Sequence, residues 1–288
     1  MLPRNIVSVL DSSNATTDAA AAWALSLARW YDADLHHVDA GKSVRDIARY
    51  GRRVAADLYV VSNRARRGRG YWRAGSFAAA LGAAVTSPTL VVPGEAPPPD
   101  GLSSPFRTIL SAIDFSDVSV RALSEALHLV QQSGGRLRLL HVMTAFPYET
   151  VYGGSDALRL GRAFRANATR IDRELQALVP LPARHWSEVD SAAVLGEADE
   201  VILEQASRER ADLIVLGLPR RSRLAALVAG STAPKVLRRT TSPVLLVPGP
   251  STPPPSPLAE SPAPRLPSYA SAAGVVGVEP REATTSWR

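Results

Sequence analysis

Short apolar runs alternate with amphipathic segments from residue 107 to residue 249. One amphipathic segment carries Leu123, Ala126, Leu127 and Val130 at positions i, i+3, i+4 and i+7, which places them on one face of a helix. Ser116 is suited to cap this helix and Gly134-Gly135 to end it. The apolar runs predict strands at 107–113, 136–142, 185–189, 213–216 and 244–247. Three more helices are predicted at 156–178, 198–209 and 230–239.

This alternation predicts an α/β fold with a parallel sheet that helices cover on both faces. The strands are short and continuously apolar, as expected of strands buried on both sides. In open sheets of this kind, ligands bind beyond the carboxyl ends of the strands, where the winding reverses. Asp114 follows the first predicted strand and Gly217 the fourth, so we expect both at the same edge of the sheet.

The chain also repeats itself. Three pairs of segments are separated by the same offset of 155 residues: Asp57-Leu-Tyr-Val-Val and Asp212-Leu-Ile-Val-Leu, Gly75-Ser76 and Gly230-Ser231, and Ser87-Pro-Thr-Leu-Val-Val-Pro-Gly and Ser242-Pro-Val-Leu-Leu-Val-Pro-Gly. The starts of the two copies, Ile6-Val-Ser-Val-Leu-Asp11 and Ile109-Leu-Ser-Ala-Ile-Asp114, are only 103 residues apart. The first copy is therefore shorter in its middle by about one strand and one helix.

The repeat divides the chain into four regions. A truncated first domain covers 1–94, a proline-rich and glycine-rich linker 95–105, and a complete second domain 106–249. Residues 250–288 are rich in proline, serine and alanine, and we expect this tail to be disordered. The strand predicted at 34–38 matches either 136–142 or 185–189. We favour 136–142, because loss of an edge strand leaves the rest of the sheet intact.

Composition narrows the chemistry. The chain has no cysteine, so thiolate chemistry is excluded, and its five histidines show no metal-ligand spacing. The net charge is +6, with arginine runs at 64–73 and 220–223, which we interpret as a solvated surface. We expect no membrane and no nucleic-acid partner. The first residues lack the apolar run of a signal peptide, and we expect a cytoplasmic protein.

The segment most suited to bind a ligand runs from Gly217 to Thr232. It follows a buried strand and opens a helix, whose free N–H groups and dipole favour an anion such as a phosphate. Glycine allows the backbone to approach that anion closely, and Ser231 adds a hydroxyl that serves either a phosphate or the helix cap. Arg220 either strains this loop or holds a phosphate through its guanidinium.

These motifs resemble those of the universal stress protein family, whose nucleotide-binding members carry glycine, two residues, glycine, nine residues, glycine and serine or threonine. Gly217, Gly230 and Ser231 keep this spacing, and Arg220 stands at the second glycine. The resemblance implies two tandem Rossmann-like domains of the adenine-nucleotide α-hydrolase-like type, the first truncated, packed as an intramolecular pseudo-dimer through the strands at 89–92 and 244–247. It leaves a homodimer open.

By the same resemblance, the second domain would bind ATP. Asp114 would contact the ribose or the adenine edge, and Val142 would offer its backbone to the base. The phosphates would be held by Gly217, Gly230, Ser231 and Thr232. Arg220 would either hold a phosphate as well or strain the loop. The first copy has Ser62 and Ala65 in place of two glycines, so we expect no nucleotide there. We expect a regulatory stress-response protein without catalytic turnover. The alternative is a dimerisation or partner-binding module of the same fold without nucleotide.

Overall fold

The computed structural model describes residues 3–10, 19–63, 75–100, 104–143, 157–219 and 232–250, with the backbone alone at 157–164 and at Trp186. These residues belong to one compact unit, Met1–Ser251. The predicted tail, apart from Pro250, lies outside the described residues. The strands are β1 (Asn5–Leu10), β2 (Asp34–Asp39), β3 (Leu58–Ser62), β4 (Thr89–Val92), β5 (Thr108–Ala112), β6 (Arg136–Met143), β7 (Glu188–Leu195), β8 (Leu213–Leu218) and β9 (Val244–Pro248).

The helices are α1 (Ala19–Tyr31), α2 (Val44–Arg53), α3 (Ser76–Ala84), α4 (Asp117–Ser133), α5 (Ala157–Ala177), α6 (Ala183–Trp186), α7 (Ala198–Arg208) and α8 (Thr232–Arg239). Ser116 caps α4 and accepts from Ser119 N, and Gly134 ends that helix in the left-handed conformation, both as the sequence predicts. The expected strand at 185–189 is placed wrongly. His185 lies in α6, and the strand begins at Glu188, because Pro180 and Pro182 open a short helical turn before it.

All nine strands form one sheet in the order β2-β1-β3-β4-β9-β8-β5-β6-β7. Seven of the eight pairings are parallel, and β4 and β9 pair antiparallel, with Leu90 opposite Leu245. The sheet therefore consists of two parallel halves, residues 3–100 and 104–250, that join through their last strands. This confirms the contact predicted between 89–92 and 244–247.

The pairing registers of the two halves correspond. Ile6 pairs with Leu58 as Ile109 pairs with Leu213, and each half's second strand pairs parallel with its first. Strand β2 thus corresponds to β6, which agrees with the favoured match of 34–38 to 136–142. In the described residues, the first half has four strands and three helices, and the second adds β7, α5 and the short α6.

Two layers of helices cover the sheet. We call the side covered by α1, α4 and α5 the first face, and the side covered by α2, α3, α7 and α8 the second face. Each face has one hydrophobic cluster that continues from one half into the other. On the first face, Trp23 and Phe106 stack at 5.8 Å between ring centroids, and Trp23 Nε1 donates to Ala96 O at 3.2 Å. The linker is therefore fixed to α1 at Ala96.

Candidate functional site

The winding of the second half reverses between β5 and β8. From β5 the chain moves outward to β6 and β7, then returns to β8 on the other side. Ala112 pairs with Leu140 on one side and with Leu216 on the other. Two residues further along each strand, Asp114, Val142 and Leu218 reach the same level at the carboxyl edge. This is the edge where the sequence predicts a ligand site.

Asp114 forms a hydrogen-bonded turn at this edge. Its Oδ1 accepts from Ser116 N at 3.0 Å and from Ser116 Oγ at 2.5 Å, and its backbone N donates to Ser119 Oγ at 3.3 Å. Desolvation raises the pKa of Asp114, but hydrogen bonds from Ser116 and Ser119 outweigh it, so the pKa lies below its ordinary value. The side chain is therefore a carboxylate at neutral pH and lies at an exposed position.

Phe115 and His141 fix the backbone next to Asp114. Phe115 has φ of 61°, in the left-handed region that non-glycine residues seldom adopt. Its ring lies 5.0 Å from the His141 ring, between centroids. His141 Nδ1 lies 2.7 Å from Ile113 O, and because a carbonyl only accepts, this nitrogen carries the proton. His141 is thus held between the Phe115 ring and the backbone of Ile113.

Strand β6 extends past the end of β5. The β5–β6 ladder ends at the pair of Ala112 and Leu140, whereas β6 continues beside β7 through the pairs of Val142 with Val194 and Met143 with Leu195. Val142 therefore lies beyond the last residue of β5, next to the turn that holds Asp114. This is the position at which a planar ring could meet the backbone of β6.

Gly217 lies near the end of β8, where it packs against the start of α4. A Cβ at this position would lie 2.9 Å from Ser119 N and 2.9 Å from the carbonyl carbon of Val118. Real side chains do not make contacts this short with backbone atoms, so a glycine is needed for α4 to approach β8. The family resemblance predicts that Gly217 holds a phosphate, and the structure adds a packing role.

Helix α8 begins at Thr232 and is anchored to α7. The carboxylate of Asp199, which is 7% exposed, lies 3.2 Å from Lys235 Nζ and 3.3 Å from Arg239 Nη1. These ion pairs are on the side of α8 that faces α7, and they set the position of the helix whose first turn contains Thr232.

The Universal stress protein family model matches residues 105–248, half of the chain. The chain belongs to the universal stress protein family. A universal stress protein of Thermus aquaticus is 34% identical over 145 residues, which cover 49% of this chain and 98% of the relative. Universal stress protein YxiE of Bacillus subtilis is 29% identical over 149 residues, 49% of this chain and 99% of YxiE.

Two solved structures of universal stress proteins align with parts of this chain. A universal stress protein of Archaeoglobus fulgidus aligns with a TM-score of 0.49 and 19% identity, over 74% of this chain and 66% of that one. A universal stress protein in complex with cAMP aligns with a TM-score of 0.34 and 24% identity, over 49% of this chain and 96% of that one.

The predicted site residues of this universal stress protein fall into two groups. Asp114, Val142, Gly217 and Thr232 are described, and the first three lie at the carboxyl edge. Arg220, Gly230 and Ser231 lie outside the described residues, as does Asp11 of the first half. Ser119 and Phe115 were missed, because their roles depend on how the turn folds back on α4.

Gly75, the first-half counterpart of Gly230, is used for packing. Gly75 has φ of 77°, and a Cβ there would lie 2.7 Å from Leu237 Cβ in α8. Asn63 Nδ2 donates to Leu237 O at 3.2 Å. The residues that flank this first-half loop therefore contact the second half directly.

Within the described residues, no cluster of acidic or histidine side chains could hold a metal ion, and no helix is long and apolar enough to cross a bilayer.

Proposed function

We propose that this universal stress protein binds an adenine nucleotide, with ATP as the main candidate, at the carboxyl edge of its second half. The observation that carries the proposal is the ionised Asp114, which lies level with the part of β6 that extends past β5, at the edge where the strand order reverses. The Asp114 carboxylate can accept a hydrogen bond from a ribose hydroxyl, and the backbone of β6 beyond the end of β5 can pair with the edge of a base.

The phosphates would lie toward the first turn of α8. This helix starts at Thr232, directly after Gly230-Ser231 in the sequence, and a helix start offers unpaired N–H groups and a positive dipole end. The family spacing of Gly217, Gly230 and Ser231 supports this assignment. Arg220 would then face the anionic part of the ligand or fill its place.

We further propose that the first half is a second, truncated stress protein domain with a structural role. Its strand registers correspond to those of the second half, and its segments repeat the same motifs. Gly75 and Asn63, which flank its loop, are engaged by Leu237 of α8. A nucleotide would therefore bind to the second half alone.

We also propose that binding occurs without turnover. A general base works best when its pKa is near the working pH, and hydrogen bonds hold the pKa of Asp114 below its ordinary value. The proton on His141 Nδ1 is directed at Ile113 O. These side chains suit binding and orientation, and the outcome would be a conformational or partner-binding response to the nucleotide.

Calorimetric titration with ATP tests the site. We expect binding to the purified full chain, and a loss of at least about tenfold in Asp114→Asn, since a charged hydrogen-bond acceptor contributes about 1.5–3 kcal/mol. Asp117→Asn is the matched control, because Asp117 is an exposed carboxylate three residues away, and it should stay within about threefold. Gly230→Asp should abolish binding through like-charge repulsion at a helix start.

Two further measurements separate the alternatives. Mass spectrometry of the denatured protein shows whether a nucleotide is carried from the cell, and cAMP, the ligand of one solved relative, is titrated beside ATP. If neither nucleotide gives heat at millimolar concentration and none is carried, the nucleotide proposal is wrong. The engagement of Gly75 by α8 would then favour the partner-binding module.

A further inference from the structure

Four arginines form one exposed stripe on helix α2. Arg45, Arg49, Arg52 and Arg53 occupy positions i, i+4, i+7 and i+8, so they share the face opposite the buried residues Ile47, Ala48 and Gly51. All four are exposed. In the described residues, one ion pair lies on this stripe: Arg49 Nη1 is 3.3 Å from Asp46 Oδ1, and both side chains are largely solvated.

The repeat supplies an internal comparison. Helix α7 is the counterpart of α2 in the second half, at the offset of 155 residues. The positions of Arg45, Arg49, Arg52 and Arg53 are held there by Glu200, Glu204, Ser207 and Arg208. Both helices cover the second face, and both bury an isoleucine against the sheet, Ile47 in α2 and Ile202 in α7.

Because α7 packs in the same way with a neutral to acidic outer face, folding does not require arginines there. Four like charges on one helix face repel each other, and repulsion at i, i+4 costs a few tenths of a kcal/mol per pair. The stripe therefore slightly opposes the helix on which it lies. Four exposed like charges that the equivalent helix does without indicate a surface that meets a partner of opposite charge.

The stripe itself consists of arginines without apolar side chains, which narrows the class of partner that it can bind. Protein interfaces have a core depleted in charge and rich in aromatic residues, and membrane-surface helices bury an apolar face. The apolar face of α2 is already buried against the sheet, as Ile47 and Ala48 show. Along the stripe, the ring of Tyr50 is covered by Arg53, whose guanidinium carbon lies 4.9 Å from the ring centroid.

Guanidinium groups in a row match a chain of phosphates. Arginine binds phosphate oxygens through paired N–H groups, and phosphate contacts carry most of the affinity of sequence-independent nucleic-acid binding. From Arg45 to Arg53 the helix rises about 12 Å, which corresponds to roughly three to four phosphates along one strand.

We propose that the arginine stripe on α2 binds the phosphate backbone of a nucleic acid without sequence preference. This interaction is separate from the nucleotide site, because α2 belongs to the first half and the site to the second. It also revises the expectation of no nucleic-acid partner, which considered the arginine runs at 64–73 and 220–223 but not the arginines that the α2 helix aligns.

Fluorescence anisotropy of the full chain with a labelled oligonucleotide tests the proposal. The probes are a single strand and a duplex of about 20 nucleotides per strand, at roughly 50 mM salt and above. The variant is Arg45→Gln/Arg49→Gln/Arg52→Gln, which keeps helix propensity while removing three charges. We expect affinity to fall about tenfold or more, and the slope of log affinity against log salt to fall by about two to three.

The matched control is Arg29→Gln/Arg121→Gln/Arg173→Gln. These three arginines are exposed on α1, α4 and α5, on the first face, so the net charge changes by the same amount. This control should stay within about threefold of the unmodified protein, because it leaves the stripe intact. Both triple variants should keep the far-ultraviolet circular dichroism of the unmodified protein.

Four outcomes would overturn the proposal. The unmodified protein fails to bind either oligonucleotide, or the two triple variants lose affinity equally, which would mean that net charge alone acts. Acidic vesicles of phosphatidylserine bind as tightly as the oligonucleotides and with the same dependence on the stripe, which would indicate a membrane surface. Size exclusion shows a dimer that the α2 variant alone dissolves, which would indicate a contact with the acidic α7 of a second copy.

Discussion

At the scale of single residues, the candidate site depends on hydrogen bonds among Asp114, Ser116 and Ser119. Ser116 serves twice, since its Oγ donates to Asp114 Oδ1 and accepts from Ser119 N at the start of α4. Ser119 Oγ, which is buried, in turn donates to Ser116 O at 2.9 Å. The same bonds that cap α4 therefore orient the Asp114 carboxylate and keep it charged.

We predict that Asp114 stabilises the protein in a pH-dependent way. Its pKa in the folded state is depressed, so its contribution is fully present above the unfolded pKa and is lost as the pH falls through the folded pKa. Because the side chain is exposed, we expect only about 0.5–1 kcal/mol at pH 7. Urea unfolding of Asp114→Asn should show this deficit at neutral pH and a smaller one near pH 3.

Carboxyl-detected NMR titration checks the cause directly. In Ser116→Ala, the pKa of Asp114 should rise toward its ordinary value, because the hydroxyl donor that lowers it is gone. An Asp114 pKa that is the same in both proteins would show that Ser116 does not hold the carboxylate.

At the scale of elements, each half holds its first strand by a carboxylate that directly precedes a neighbouring strand, β3 in the first half and β8 in the second. Asp57 Oδ2 accepts from Arg4 N at 2.9 Å and Asn5 N at 3.0 Å, and Asp212 Oδ2 accepts from Arg107 N at 3.0 Å and Thr108 N at 2.9 Å. The aspartates that mark the repeat in the sequence are therefore structural. They align the amino ends of neighbouring strands and so set the level of their carboxyl ends.

We predict that Gly217→Ala destabilises the protein by about 1–3 kcal/mol, as overpacked sites do. The added Cβ would press on the backbone of Val118 and Ser119, which can move only if the start of α4 moves away from β8. Urea unfolding measures the loss, and weaker ATP binding should accompany it, since the turn at Asp114 leads into α4.

Gly41→Ala is the control for this substitution. Its Cβ would lie 3.1 Å from the Oδ1 of Asp39, an exposed side chain that need move by only a few tenths of an ångström, so we expect a loss within about 0.5 kcal/mol. Equal losses in the two variants would contradict the proposed contact between β8 and α4.

At the scale of the whole molecule, the two halves share a sheet and both hydrophobic clusters. The cluster on the second face includes Leu81 of α3 from the first half together with Leu237 of α8 and Leu246 of β9 from the second. Neither cluster can be exposed in one half without exposing apolar surface in the other. Residues 3–250 are therefore expected to unfold together.

We predict a single urea transition for the full chain, which Gly75→Ala shifts as a whole. This substitution places a Cβ 2.7 Å from Leu237 Cβ and forces alanine into φ of 77°, so we expect a loss of about 2 kcal/mol or more. Tryptophan fluorescence and circular dichroism should move together, since the sheet is continuous. Two separate transitions, with Gly75→Ala acting on one alone, would mean that the halves fold independently.

The sequence by itself determined which segments become strands and helices, because the spacing of apolar residues reflects local geometry. The motifs around Asp114 and Gly217 predicted the family, and the resemblance to that family predicted that the last strands of the two halves lie together. The boundary at His185 could not be obtained this way. The helical turn there begins at Pro182 and is only four residues long, too short to give a periodic pattern of apolar residues.

Tertiary structure decided what depends on contacts between distant segments. That Gly217 serves α4 and that Gly75 serves α8 follows from distances between backbones, which no local pattern encodes. Likewise, the four arginines of α2 form an exposed stripe only once the helix is placed on the second face. The corresponding face of α7 carries Glu200 and Glu204 instead. Periodicity records which face of an element is apolar, whereas packing decides what meets that face and what is left exposed.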